Sequence, residues 1–221
     1  MLPLLALAAL AAGSPSACRL DLVPGETVTE RRSLKARDGD LEAVSVINPD
    51  PDAYSSRALV LNADCKIVFE RRFDGATQTR FSEGQLGRQP FLFVTAYSPG
   101  GSGCGYGHLI LAYGGERYAD DGVEPLAPQS LWHNNMDGVF VGDLGGGRGP
   151  GLVTWSADWN GEAHYAAHRY QVVSYRWRDG RFVGPKIWWT KHKHAPAPQA
   201  VARKLGFSFG DMTRQERFGE C

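Results

Sequence analysis

The chain has 221 residues, a hydrophobic fraction of 43%, and 24 basic and 24 acidic side chains, so its formal net charge is zero. This length suits one large or two small globular domains with a real core, and the neutral charge gives no general electrostatic reason to bind nucleic acid or an anionic membrane surface. The 27 glycines, 13 prolines and 11% aromatic residues favour many short strands over long helices.

Residues 1–17 form an apolar stretch rich in Leu and Ala that ends in small residues. It is too short to span a membrane comfortably and is typical of a secretory signal peptide, with a buried N-terminal helix as the alternative. We therefore expect a periplasmic or secreted protein with no transmembrane span in the mature chain. A β-repeat domain is expected over residues 18–190, followed by a Pro/Ala-containing linker and C-terminal tail over 191–221.

Four cysteines support export, since no two of them form a Cys-x-x-Cys pair and an even number in an exported chain predicts two disulfides. We expect Cys65–Cys104, because each of these residues precedes the second strand of a unit. We also expect Cys18–Cys221, because chain termini often lie close together. The alternative for Cys18 is a lipid anchor after signal cleavage, since residues 16–18 fit the end of a lipobox, although a proline stands where an aliphatic residue is usual.

The predicted strands are apolar or β-branched runs bounded by Gly, Pro, Asn and Asp. They lie at residues 41–47, 58–61, 66–70, 91–97, 108–113, 138–141, 152–155, 171–177 and 181–183. Alternation over 171–177 places Val173, Tyr175 and Trp177 on one face of a strand, and the following Asp-Gly predicts a hairpin turn. Residues 119–129 show no periodicity, and residues 211–218 are expected to form one or two helical turns.

Two segments repeat one pattern. Residues 84–95 and 142–154 both begin Gly-x-Leu-Gly, pass through Arg-x-Pro and enter an apolar run that ends in Val-Thr, and residues 38–44 form a weaker copy. This organisation resembles FG-GAP-type and related β-propeller repeats, in which an Asp/Gly-rich loop runs into a strand. The aromatic hairpin at 177–182 is similar to one that closes such units in exported bacterial proteins.

The resemblance covers residues 38–190 and implies an all-β fold of antiparallel repeat units. Three units fall short of a closed propeller, which typically has four or more blades. We therefore expect an incomplete, propeller-like arrangement, with an irregular β-sandwich as the alternative. The resemblance does not extend to a calcium loop, because Asp143 is the single carboxylate in residues 143–147.

No metal, cofactor or catalytic site is expected. Calcium requires six to eight oxygen ligands and zinc three or four converging ligands, which the short local clusters do not supply. These clusters are Asp38/Asp40/Glu42, Asp50/Asp52, Asp158/Asn160, His164/His168 and His192/His194. A Gly-x-Ser-x-Gly nucleophile elbow is also missing from the sequence.

Two function classes follow. A non-catalytic exported module that binds a protein or glycan, or serves the cell envelope, is favoured because no nucleophile–base or metal constellation is present. The alternative is a hydrolase, acting on glycans or assisted by metal, with a site built from loops. The candidate binding residues are Trp155, Asp158, Trp159 and Asn160, since aromatic planes beside polar groups suit a sugar ring or a peptide. We expect Trp159 to be exposed and Trp177 to lie in the core.

Overall fold

The computed structural model describes residues 18–36, 39–50, 54–98, 105–114, 123–126, 131–134, 138–145, 147–158 and 166–193. The predicted signal peptide and the predicted C-terminal helical turns lie outside these ranges. Within them, the chain forms three antiparallel sheets of consecutive strands. The predicted all-β class and the predicted antiparallel units are therefore confirmed.

The first and third sheets are meanders in which neighbours in sequence are neighbours in space, and the second follows the same order from β5 to β8. The first contains β1 (Thr27–Ala36), β2 (Gly39–Asn48), β3 (Ser55–Leu61) and β4 (Ile67–Asp74). The second contains β5 (Gln78–Leu86), β6 (Gln89–Ser98), β7 (Gly105–Tyr113), β8 (Val123–Pro125) and β9 (Leu131–Asn134). The third contains β10 (Gly138–Asp143), β11 (Pro150–Ala157), β12 (Tyr170–Arg178) and β13 (Arg181–Trp189).

The outer strand of the second sheet is interrupted. Strand β8 pairs with one end of β7, and β9 pairs with the other end. Part of the segment from 119 to 129, predicted to be irregular, is therefore a strand. Strand β8 forms its backbone hydrogen bonds with the edge of β7. A strand of three residues can therefore form without a periodic sequence pattern of its own.

The sequence repeat has a structural counterpart. Gly84 at the end of β5 pairs with Phe91 of β6, and Gly142 at the end of β10 pairs with Gly151 of β11. Both long copies therefore form the first turn and second strand of a sheet. The weaker copy at residues 38–44 runs from the β1–β2 connection into β2, which is the corresponding place in the first sheet.

The second sheet lies between the other two. One of its faces shares a buried cluster with the first sheet, and the other shares a cluster with the third sheet. Strand β6 is consequently buried on both faces, and every residue from Phe91 to Ala96 is buried. This explains why residues 91–97 form an almost unbroken apolar run, since a strand covered on both faces does not alternate.

The hairpin predicted from Asp179-Gly180 is confirmed. Both residues have positive φ angles, 50° and 75°, which is the geometry that a two-residue hairpin turn requires. Trp177 pairs with Phe182 across this hairpin, with ring centroids 5.1 Å apart. Trp177 is half-buried and packs against the cluster between the second and third sheets.

A disulfide joins Cys18 to Cys65, with the two Cα atoms 5.4 Å apart. The predicted pairings Cys65–Cys104 and Cys18–Cys221 are therefore wrong, because Cys18 and Cys65 are bonded to each other. Cys104 and Cys221 lie outside the described residues. The segment that begins at Cys18 packs over the first sheet, and the β3–β4 turn brings Cys65 to meet it. The Sγ atom of Cys18 is bonded in this disulfide, so it is not available for the thioether of a lipid anchor.

Asn62 shapes the turn that carries Cys65. Its side-chain oxygen accepts hydrogen bonds from the backbone N–H groups of Asp64 and Lys66, at 3.1 and 2.9 Å. Cys65 itself adopts a left-handed conformation with φ of 61°. Asn side chains commonly stabilise tight turns in this way, and here the turn aims a cysteine back at the N-terminal segment.

A charged cluster ties the N-terminal segment to β3. Arg57 donates hydrogen bonds to both carboxylate oxygens of Glu26 and one to Glu70. Burial by itself would raise the pKa of the Glu26 carboxyl, but the hydrogen bonds from Arg57 and from the Val23 N–H outweigh it and lower that pKa. The same hydrogen bond with Glu26 raises the pKa of Arg57.

A second polar cluster crosses from the first sheet to the second. The hydroxyl of buried Tyr113 donates a 2.9 Å hydrogen bond to Glu83, and Arg32 bridges Glu83 to Glu30. Burial and the hydrogen bond to Glu83 raise the pKa of the Tyr113 phenol. The polar atoms at this sheet–sheet boundary are thus paired, as buried polar groups require.

Candidate functional site

Two of the four residues predicted as a binding site, Trp155 and Asp158, lie in the described part of the chain. Trp155 is 2% exposed and packs in a core cluster, so its ring supports packing and is not offered to solvent. Asp158 is half-buried, and its backbone N–H donates to the carbonyl of Arg169. Trp159 and Asn160 lie outside the described residues, and their role stays a prediction.

Three of the described residues considered for metal binding, Asp40, Glu42 and His168, have other partners. Asp40 pairs with Lys35, and Glu42 pairs with Arg31. His168 is fully buried, with Nδ1 2.9 Å from the carbonyl oxygen of Asp158. Among the described residues, no three His, Cys, Asp or Glu side chains cluster closely enough to hold a metal ion.

A different surface emerges on the third sheet. Its face that points away from the second sheet, called the outer face below, carries a cluster of aromatic and aliphatic side chains. They are Phe140, Leu144, Val153, Trp155, Ala157, Tyr170 and Val172, with Trp188 at the margin. Along β12 and β13 this apolar character gives way to Ser174, Arg176 and Lys186, which lie on the same face because Ser174 pairs with both Val153 and Lys186.

Comparison with the second sheet shows that this polarity is a departure from the repeat. Ser174 and Arg176 stand where the second sheet has Ile110 and Ala112, two buried residues that pack against the third sheet. The equivalent pairs are Phe93–Ile110 and Phe91–Ala112 in the second sheet, and Val153–Ser174 and Gly151–Arg176 in the third. A face that covers a neighbouring sheet in one unit thus carries a hydroxyl and a guanidinium in the next.

A groove of about 310 Å³ opens on this part of the outer face. This volume lies at the small end of the range of ligand-binding pockets, roughly 300–1,000 Å³. Its lining combines aliphatic, aromatic and cationic side chains: Leu144, Arg148, Val153, Ser174, Arg176, Val183, Gly184, Pro185, Lys186 and Trp188. Strands β11 to β13 supply most of these residues, so the groove rests on hydrogen-bonded backbone.

The β10–β11 loop forms one wall. Leu144 packs over Gly151, where a Cβ atom would stand 2.8 Å from Leu144 Cδ1 and 2.3 Å from the carbonyl oxygen of Tyr175. The N–H of Leu144 donates to Gly149, and both the backbone N–H and Nε of Arg148 donate to the carbonyl of Gly145. These bonds close a compact loop that holds Arg148 at the groove.

The groove is locally cationic although the chain is neutral. Arg148, Arg176 and Lys186 line it, and none of the described residues in its lining is Asp or Glu. Lys186 Nζ lies 5.9 Å from the centre of the Trp188 ring, within the range of a cation–π contact. The site therefore presents positive charge beside an aromatic plane.

The sequence contained one signal for this groove. Alternation along 171–177 placed Ser174 and Arg176 on the strand face opposite Tyr175 and Trp177, and the structure confirms that Tyr175 and Trp177 share a face. This face packs toward the second sheet. A polar second face on a strand ordinarily means solvent. The groove could not be deduced from that pattern, because its walls come from the β10–β11 loop and from β13.

None of the described segments is a helix long and apolar enough to cross a membrane. The disulfide is compatible with an oxidising compartment outside the cytoplasm. Comparison of the chain with models of protein families, with curated proteins and with solved structures finds no match.

Proposed function

We propose that this chain is an exported, non-catalytic binding module that holds a glycan or an envelope protein in the groove on the outer face of its third sheet. One observation carries the proposal. At the positions where the second sheet buries Ile110 and Ala112, the third sheet has Ser174 and Arg176, and these two line a groove. Convergent polar groups in an otherwise apolar concavity are the usual composition of a binding site.

The chemistry of the lining supports binding over catalysis. Ser174 is the one hydroxyl among the described lining residues, and no histidine or carboxylate in that lining could serve as its general base. The two arginines stay protonated, and together with the indole of Trp188 they can orient a ligand but cannot take up a proton.

Export is supported by the apolar segment 1–17 and by the Cys18–Cys65 disulfide. Kinship with FG-GAP-type repeats is supported by the shared place of the three sequence copies, at the first turn and second strand of each sheet. N-terminal sequencing of the protein recovered from a producing cell tests export, since a mature chain that begins at Cys18 is expected. Retention of residues 1–17 in a cytoplasmic fraction would contradict it.

The binding function is tested by filling the groove. Ser174→Trp places a large ring on the groove floor, while Ser156→Trp places the same ring at an exposed position of β11 outside the groove lining. Both variants and the parent are screened against immobilised glycans and envelope proteins, with melting curves to verify folding. We expect a ligand that is retained by the parent and by Ser156→Trp and is lost by Ser174→Trp.

Equal binding by a folded Ser174→Trp variant would remove the groove as the binding surface. Steady release of cleaved products from any retained glycan would replace the binding module with the hydrolase. Absence of any ligand for the parent would contradict the proposed function as a whole.

A further inference from the structure

The groove meets its ligand with side chains and not with backbone. It lies over the face of β11, β12 and β13, and β12 is paired on both sides across two antiparallel ladders. The free edge of the sheet, on β13, is directed sideways in the plane of the sheet and not into this face. An extended peptide that adds to a sheet needs a free edge and its unpaired N–H and C=O groups. The ligand in this groove is therefore recognised by charge, hydroxyl and ring contacts.

All the formal charge in the lining is positive. Two of the three cations, Arg176 and Lys186, are exposed on adjacent strands of the same face. The third, Arg148, reaches the groove from the loop on the opposite side. A sheet face needs polar side chains for solubility alone, but mixed charges would serve that need, whereas charge of one sign selects an anion.

An apolar patch lies beside the cations. Trp188 is half-buried, Val183 is 44% exposed, and Pro185 lies between them on β13. A sugar ring with a carboxylate has the matching features, since its C–H face packs on an indole and its charge pairs with guanidinium. Arg is well suited to the planar, two-oxygen geometry of a carboxylate.

A nucleic-acid strand fits the groove less well. Single strands are held by a basic track that follows many phosphates and by several stacking rings. This groove contains three cations and one tryptophan in about 310 Å³, in a chain whose formal net charge is zero. The lining has the dimensions and polarity for a short stretch of charged sugar.

We infer that the ligand of this groove is an acidic glycan whose sugar residues carry carboxylates, with Arg148, Arg176 and Lys186 contacting the carboxylates and Trp188 the ring. This inference rests on the proposed binding function and names its ligand class.

The test uses the full chain and defined probes. Fragments of polygalacturonate, alginate and hyaluronate are titrated into the parent, together with carboxyl-reduced polygalacturonate of the same length, an oligoglutamate peptide and a single-stranded oligonucleotide. The variants are Arg176→Gln and Lys186→Gln, and the matched control is Arg178→Gln, an exposed arginine of β12 outside the groove lining. Dissociation constants are measured by calorimetry at two salt concentrations.

We expect at least one uronate fragment to bind, and its carboxyl-reduced counterpart to bind at least tenfold more weakly. Arg176→Gln should weaken binding about tenfold or more, because a charge-assisted hydrogen bond is lost, while Arg178→Gln should stay within about twofold. Binding of the acidic fragment should also weaken as salt is raised, since the contacts lie near solvent.

Three results would overturn the inference. The first is equal binding of the carboxyl-reduced fragment, which leaves the proposed function standing if Ser174→Trp still blocks it. The second is stronger binding of the peptide or the oligonucleotide than of any uronate fragment. The third is failure of every uronate fragment to bind. In that case the proposed binding function still stands if the screen finds another ligand that the parent retains and Ser174→Trp loses, and it falls if no such ligand is found.

Discussion

Gly138 of β10 lies against the indole ring of Trp155 of β11, so closely that a Cβ atom on Gly138 would stand 2.0 Å from Cζ2 of the ring. This contact explains why Trp155 is buried. The missing side chain at residue 138 leaves a space on the outer face, and the largest aromatic side chain of the neighbouring strand fills it. The two residues therefore form one packing unit.

A double-mutant cycle tests this unit. Gly138→Ala in the parent should lower the free energy of unfolding by about 1–3 kcal/mol, the usual cost of overpacking. In a Trp155→Phe background the smaller ring leaves room, and the same change should cost less than about half as much. Urea denaturation of the four proteins gives the coupling energy. Strictly additive effects would show that the close approach of residues 138 and 155 has no energetic consequence.

The disulfide is expected to contribute strongly to stability. Cys18 and Cys65 are separated by 47 residues, and the loop-entropy model gives about 4 kcal/mol for a crosslink of that span. Cys65→Ser should lower the free energy of unfolding by an amount of this order, with little loss of packing because Cys65 is exposed.

Asp64→Ser serves as the control for Cys65→Ser, because Asp64 is exposed in the same turn and its replacement keeps every cysteine. Non-reducing peptide mapping of the parent should recover a Cys18–Cys65 peptide pair. Recovery of Cys65 linked to Cys104 in its place would contradict the observed disulfide.

The Glu26–Arg57 pair predicts a pH dependence of stability. Because the pKa of Glu26 in the folded protein lies below its ordinary value, the ionised carboxylate stabilises the fold. This contribution is complete above the ordinary pKa of Glu, about 4.3, and is lost as the pH falls through the lower folded-state value. Glu26→Gln should therefore be less stable than the parent at pH 7, by about 1–2 kcal/mol, and the difference should shrink toward pH 3.

Glu70→Gln is the matched control for this experiment. Glu70 also accepts a hydrogen bond from Arg57, but its side chain is 43% exposed against 7% for Glu26. Its replacement should change stability by no more than about 1 kcal/mol. A difference between Glu26→Gln and the parent that stays constant from pH 7 to pH 3 would mean that ionisation of Glu26 is not the source of the effect.

Local patterns predicted those parts of the fold that local forces determine. The apolar run at residues 91–97 lies in β6, and Asp179-Gly180 forms the β12–β13 turn. Both could be predicted because strand burial and turn geometry each require particular residue types at neighbouring positions. Strands β8 and β9 left no such trace, since their formation depends on the edge of β7.

Long-range relationships were the parts that the sequence did not reveal. The partner of Cys65 depends on how the N-terminal segment packs over the first sheet, and spacing along the chain carries no information about that packing. The groove likewise depends on the register that places Ser174 between Val153 and Lys186. The burial of Trp155 required knowledge of Gly138 on a neighbouring strand, although both residues were visible in the sequence.

The meander order has a consequence for how the molecule is assembled. All four strands of the first sheet and both cysteines of the disulfide lie between residues 18 and 74. In a chain delivered to an oxidising compartment N-terminus first, this unit is complete before β5 arrives, and its crosslink closes without any residue of the later sheets. Until the second sheet follows, however, the face that carries Leu41, Ala43 and Val60 remains uncovered. The strands that cover this face span residues 78–113, so it stays open to contacts with other chains until β7 is in place.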